Sequence, residues 1–163
     1  MCMLYSIEQA LLAKEKGEVP IGALLKHKSG IITKSHNLCI TNNDPSAHAE
    51  MNVIRKAGQY LNNYRLDECE LYVTVEPCIM CVGAILHARI HAIHFATFSD
   101  RWGSSSSLID YNKKIKIYSG QYKEYAKRII QTFFQEKRIS SFSYISRFKN
   151  KSFICSSEGS TGD

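Results

Sequence analysis

His48, Glu50, Cys78 and Cys81 are the residues of this chain best suited to do chemistry. They lie in two runs, Asp44-Pro45-Ser46-Ala47-His48-Ala49-Glu50 and Thr74-Val75-Glu76-Pro77-Cys78-Ile79-Met80-Cys81. A neutral imidazole and two thiolates make three good zinc ligands, and a zinc site that performs hydrolysis keeps its fourth tetrahedral position open for water. His48, Cys78 and Cys81 are therefore the expected ligands of one zinc ion per chain, and Glu50 stands unliganded as a proton carrier. His48 and Glu50 are two residues apart, so they cannot share a face in mid-helix. In a first turn, where side chains lean toward the N-terminus, both converge on a point beyond the helix end. Asp44 or Ser46 is the expected cap there. In the second run, Leu71 to Val75 reads as a strand and Pro77 suits the opening of a helix that carries Cys78 and Cys81 on one face. The positive end of that helix favours thiolates.

Each half alone has another explanation. Cys-x-x-Cys between a strand and a helix is also the setting of a thioredoxin-like redox pair, and a glutamate in a first helical turn is ordinary dipole chemistry. A zinc-stabilised binding module is a third reading. Structural zinc normally takes four protein ligands, however, and a dithiol redox pair needs neither His48 nor Glu50. Read together, the two runs are the H-x-E and P-C-x-x-C halves of the zinc nucleobase-deaminase pattern, whose glutamate serves as both acid and base.

The same residues carry a family resemblance. Glu18-Val19-Pro20-Ile21-Gly22-Ala23, Asn37, the run Asp44 to Glu50, Asn63-Tyr64-Arg65-Leu66 and the run Leu71 to Cys81 closely resemble the bacterial tRNA-specific adenosine deaminases, from about Leu4 to about Arg138. The zinc pattern belongs to the whole cytidine-deaminase-like superfamily; the Glu-Val-Pro and Asp-Pro-Ser-Ala-His-Ala-Glu segments point to the tRNA branch. The resemblance implies a three-layer α/β/α sandwich around a mixed sheet of about five strands. It also implies deamination of adenosine to inosine at the wobble position of a tRNA anticodon stem-loop, by a homodimer. Asn37 is then expected to hydrogen-bond the target base and the Ala49 backbone to contact its reacting edge, with Pro20 and Glu76 in the base pocket. The near alternative is a deaminase of free guanine, cytosine or cytidine. One departure stands out: the family's Asp-x-Lys-x-Gly-like segment is Ser99-Asp100-Arg101-Trp102-Gly103 here.

The elements that must position these residues follow from pattern. Leu4, Ile7, Ala10, Leu11 and Ala13 recur at helical spacing up to Gly17. Ile21 to Lys26 and Ile31 to Ser35 form a hairpin across Lys28-Ser29-Gly30. A helix is expected from about Ala47 to Ala57, stopped by Gly58, then the strand Leu71 to Val75, the helix Cys78 to His87 and the strand His91 to Ala96. Strand, helix and strand in that order imply a right-handed crossover between parallel neighbours in a mixed sheet. Lys114 to Tyr118 is an expected edge strand, and Tyr122, Tyr125, Ala126, Ile129, Ile130, Phe133 and Phe134 form a helical stripe.

At 163 residues the chain suits one domain, placed at 1–138, with a basic and aromatic tail at 139–163. It shows no apolar run long enough for a membrane span or signal segment, which points to a cytoplasmic protein with reduced cysteines. A net charge of +6 and a pI near 9.0 permit a polyanionic partner. Lys137 and Arg138 are the expected RNA contacts, with Arg147, Lys149 and Lys151 further along the tail.

Overall fold

The computed structural model describes residues 1–99, 101, 103–104 and 115–151, with side chains to residue 139. The elements run α1 (Cys2–Glu15), β1 (Gly22–His27), β2 (Gly30–His36), α2 (Cys39–Asn42), α3 (Ala49–Leu61), β3 (Cys69–Val75), α4 (Ile79–His87), β4 (Ala92–Thr97), β5 (Lys116–Ser119) and α5 (Lys123–Lys151). Its contacts divide the chain into two units, Met1–Ile130 and a second that begins at Gln131.

The five strands make one mixed sheet in the order β2-β1-β3-β4-β5. β1 pairs antiparallel with both β2 and β3, and β3 and β5 flank β4 in parallel. The expected crossover from β3 through α4 to β4 is present, and β5 is the short edge strand. Side chains of a strand alternate between faces, and the core divides accordingly. Ala23, Leu25, Leu71, Val73, Ile93 and Phe95 pack with Val53 and Ala57 of α3 and with Val82 and Ile85 of α4. On the opposite face Tyr72 and Ala96 meet Met3 and Ile7 of α1 and Ala126 and Ile129 of α5. Two helical layers thus enclose the sheet, the three-layer α/β/α sandwich expected. Leu25 and Leu71 are completely buried, and truncating either to alanine costs about 2–5 kcal/mol.

Gly22 allows α1 to lie directly on β1, because a Cβ there would meet the Ser6 carbonyl oxygen and the Ala10 nitrogen. Gly17 ends α1 in the left-handed region at φ 76°, as its position predicted. One expected boundary differs: Gly58 does not stop α3, which continues to Leu61 and ends on Asn62 at φ 49°. The helix that carries the stripe up to Phe134 is α5, which runs on to Lys151. Among the described residues no helix is long and apolar enough to cross a membrane. Asp100, Trp102, the Ser105–Lys114 stretch and the end of the tail from residue 152 lie outside the described residues.

Candidate active site

Two helix N-termini meet at the carboxyl end of β3. His48 is the N-cap of α3 and Cys78 the N-cap of α4, both with extended backbone (ψ 154° and 171°). Neither position carries a side-chain cap. Asp44 and Ser46 are not the cap of α3: the Asp44 carboxylate accepts from the Ser46 amide and hydroxyl at 2.8 and 2.7 Å, closing a turn before the helix begins. The cap position belongs to an imidazole whose Nδ1 is turned to the sulfurs.

Nδ1 of His48 lies 3.6 Å from Cys78 Sγ and 3.5 Å from Cys81 Sγ, and the two sulfurs are 3.7 Å apart. A tetrahedral ion with bonds of about 2.3 Å to sulfur and about 2.0 Å to nitrogen requires ligand separations of about 3.8 Å between sulfurs and about 3.5 Å from sulfur to nitrogen. The triad therefore has the edges of a coordination tetrahedron. The Cys81 thiol pushes Cys78 down to about 4, with His48 adding to the effect. The same hydrogen bond, followed by burial, pushes Cys81 up, so a cation bound between them must displace that second proton. Cys2, Cys39, Cys69, Cys78 and Cys81 are all free thiols.

Glu50 follows in the first turn of α3 and is 3% exposed. Burial pushes its carboxyl above the ordinary range, and its Oε2 has no hydrogen-bond partner among the described residues. An orphaned buried oxygen beside three metal-ligand atoms is what an acid reserved for a metal-assisted reaction requires. Glu50 takes no place in the ligand triad.

The frame behind the ligands is polar and buried. Asn52, one turn below His48, donates through Nδ2 to the carbonyls of His36 (3.0 Å) and Ala47 (3.1 Å). Leu38 N–H donates to the same Ala47 carbonyl at 2.9 Å. These bonds fasten the end of β2 to the segment entering α3, bringing Asn37 and Ala49 into one neighbourhood. Ala49 and Pro20 are buried. Pro20 directly precedes Ile21, whose carbonyl accepts from the Asn37 amide at 3.0 Å. Glu76 Oε2 accepts from Ser99 N–H at 3.1 Å and fills the space that a Cβ on Gly103 would occupy. Gly103 bridges Cys78, and Ser104 N–H donates to the Pro77 carbonyl at 3.1 Å. The described part of the departing loop thus packs against the segment that carries a metal ligand.

Sequence reasoning assigned no role to Glu18, Asn52 or Thr74, whose Oγ1 accepts from Gly22 N–H at 3.2 Å. Their partners are backbone groups or side chains distant in the chain. Lys137 stacks over Phe133, and Arg138 Nε donates to the Phe134 carbonyl at 3.3 Å, both within α5. A separate cleft of about 380 Å³ lies at the far end of the strands, around Lys26, Lys28, Glu68 and His91. Lys28 and His27 there already pair with Glu68.

A three-layer fold that sets a His-Cys-Cys triad and a buried glutamate at two helix N-termini defines a metal-dependent hydrolytic deaminase with the cytidine-deaminase-like architecture. A family model described as MafB19-like deaminase matches residues 2–138. The tRNA-specific adenosine deaminase of Bacillus subtilis is 39% identical over 142 residues, covering 83% of this chain and 88% of that protein. A solved structure from studies of A-to-I editing by tRNA:A34 deaminases at the wobble position superposes with a TM-score of 0.74 at 34% identity, covering 78% of this chain and 97% of the other. The guanine deaminase of Bacillus subtilis superposes with a TM-score of 0.58 at 32% identity, covering 84% and 91%. The chain belongs to the tRNA-specific adenosine deaminase family.

Proposed function

We propose that this protein deaminates adenosine to inosine at the wobble position of a tRNA anticodon, in the cytoplasm, as a homodimer with one zinc ion per chain. The observation that carries the reading is the His48, Cys78 and Cys81 triad, spaced for tetrahedral coordination, beside a buried carboxylate oxygen with no partner among the described residues. The tetrahedral separations above are those set by zinc's bonds to thiolate and imidazole. Zinc held there supplies the Lewis acidity that lets water act as a nucleophile near neutral pH.

The chain's own residues do the rest. Glu50 takes a proton from the attacking water, passes it to a ring nitrogen of adenine, and assists protonation of the departing amino group, so that adenosine and water become inosine and ammonia. A carboxyl raised by burial is suited to both halves of that traffic. Asn37, Pro20 and the Ala49 backbone hold the base, and Glu76 supports the pocket through the Ser99 loop. A wobble adenosine lies in a single-stranded loop and can be splayed into the site without opening a duplex. Lys137 and Arg138 are the proposed phosphate contacts. Homodimerisation is supported by Ile79, 62% exposed, and Met80, 36% exposed, on the first turn of α4, an apolar surface suited to a second copy.

The likeness to a guanine deaminase supports a second reading, deamination of a free base. One experiment decides. Purified protein is given an anticodon stem-loop with wobble adenosine, alongside free guanine, cytosine and cytidine, and inosine and ammonia are measured. Turnover of the stem-loop alone is expected; turnover of guanine alone would replace the first reading with the second.

A further inference from the structure

The carboxylate of Glu18 has no exposed surface and takes three N–H donors. Thr41 N–H reaches Oε1 at 2.6 Å, while Ile40 N–H and Asn37 Nδ2 reach Oε2 at 3.2 and 3.1 Å. The first two bonds cap the N-terminus of α2. The third does something different, because an ionised carboxylate can only accept. At the other end of the same amide, the Cys39 thiol donates to Asn37 Oδ1 at 3.4 Å.

A carboxamide has nearly the same shape in its two flipped orientations, so only its hydrogen-bond partners choose between them. Here both partners choose alike. Flipping Asn37 would set Oδ1 against a carboxylate oxygen, two acceptors facing, and would take from the Cys39 S–H its 3.4 Å acceptor, leaving it the more distant Pro45 carbonyl at 3.8 Å. Burial works to raise Glu18, but the Thr41 and Ile40 amides outweigh it and hold the carboxyl below its ordinary value. Burial, with Glu18 nearby, raises Cys39. One group therefore stays an acceptor and the other a donor around neutral pH.

We propose that Glu18 and Cys39 are positioning residues that lock the Asn37 carboxamide in a single orientation, so that one N–H and one oxygen lone pair are presented to the target base in fixed places. This rests on Asn37 being a base contact, as in the function proposed above. A locked amide distinguishes base edges that differ by exchange of donor and acceptor; a flipping amide does not.

A double-mutant cycle separates locking from simple support of α2. Glu18→Gln and Cys39→Ala are each made in the parent and in Asn37→Ala, and kcat/KM for the stem-loop, metal content and Tm are measured. In the parent background Glu18→Gln is expected to lower kcat/KM about tenfold and Cys39→Ala about threefold, the scale of one hydrogen bond, with metal content unchanged. With Asn37→Ala already in place, both losses shrink to within about twofold, while any fall in Tm from Glu18→Gln persists. Losses that multiply undiminished in the Asn37→Ala background would overturn the proposal, as would Glu18→Gln and Cys39→Ala both within twofold of the parent. Full activity of Asn37→Ala itself would do the same. Cys39→Ala leaves the carboxylate bonds that cap α2 intact, so the cycle stands even if Glu18→Gln folds poorly. A parent protein inactive on the stem-loop but active on guanine would refute the substrate reading alone, and the same cycle then runs on guanine.

Discussion

Replacing Glu50 by glutamine tests the proposed chemistry at the point where the structure is most specific. Glutamine keeps the volume of the side chain and its place in the first turn of α3, and it cannot carry a proton. The other carboxylates near the site are committed: Glu18 to three N–H donors and Glu76 to the Ser99 backbone. With these two committed among the described residues, the loss should approach the upper part of the range for acid–base catalysis, about 10²–10⁴-fold in kcat. That corresponds to about 2.7–5.5 kcal/mol of barrier, at 1.36 kcal/mol per tenfold. The fold should not suffer, because a buried neutral amide costs less desolvation than a buried carboxylate, and Glu50 is not among the ligands. The assay is single-turnover inosine formation with enzyme in excess over stem-loop, read beside metal content and Tm. Turnover within tenfold of the parent, with metal retained, would make Glu50 a structural acid. Loss of metal would show instead that it belongs to the coordination sphere.

Three further outcomes are expected. Cys78→Ala and Cys81→Ala should each lower metal content from one ion per chain to well below half by elemental analysis, because two remaining ligands hold the ion weakly; a stoichiometric ion in either variant would disprove the triad. Lys137→Gln with Arg138→Gln should weaken stem-loop binding and reduce the slope of log affinity against log salt by about 0.7–0.9 for each phosphate no longer held, with metal content unaltered; an unchanged slope removes both residues from the interface. The third outcome concerns His36, which burial and Lys16 hold below its ordinary 6.5. Lys16 Nζ donates to Nε2 and Nδ1–H donates to Gln9 Oε1, an arrangement that needs the neutral ring. The unfolded imidazole gains its proton at the higher pH, so this contribution to stability is complete above about 6.5 and declines as pH falls toward the folded value. Denaturation midpoints of the parent should therefore fall more steeply as pH drops below about 6.5 than those of His36→Gln, and parallel profiles would refute the assignment.

What could be read from the chain and what could not divide along a physical line. His48, Cys78 and Cys81 were readable because few side-chain types bind a soft divalent ion, so their identity alone restricts what they do. The parallel arrangement of β3 and β4 was readable because a crossover helix admits one handedness. Helix ends were less so. Asp44 and Ser46 have cap chemistry, yet they bond each other, and the cap position went to His48, whose ring faces the two sulfurs. Gly58 has stop chemistry, yet the left-handed residue that ends α3 is Asn62, whose side chain also tolerates that region.

The supporting residues were hidden for a different reason. Glu18 meets Ile40 and Thr41 from 22 and 23 positions away, and Asn52 meets the His36 carbonyl from 16. Each serves backbone groups, which every residue has, so nothing in the partner's identity announces the contact. A deaminase site needs both kinds of residue. In the function proposed, the ligands and Glu50 determine which reaction is possible, and a change of residue type there should abolish it. On the same proposal, Glu18 and Cys39 set how Asn37 meets the base and Asn52 holds the segment that carries His48, so changes there should instead grade the rate and the choice of substrate while the metal stays bound.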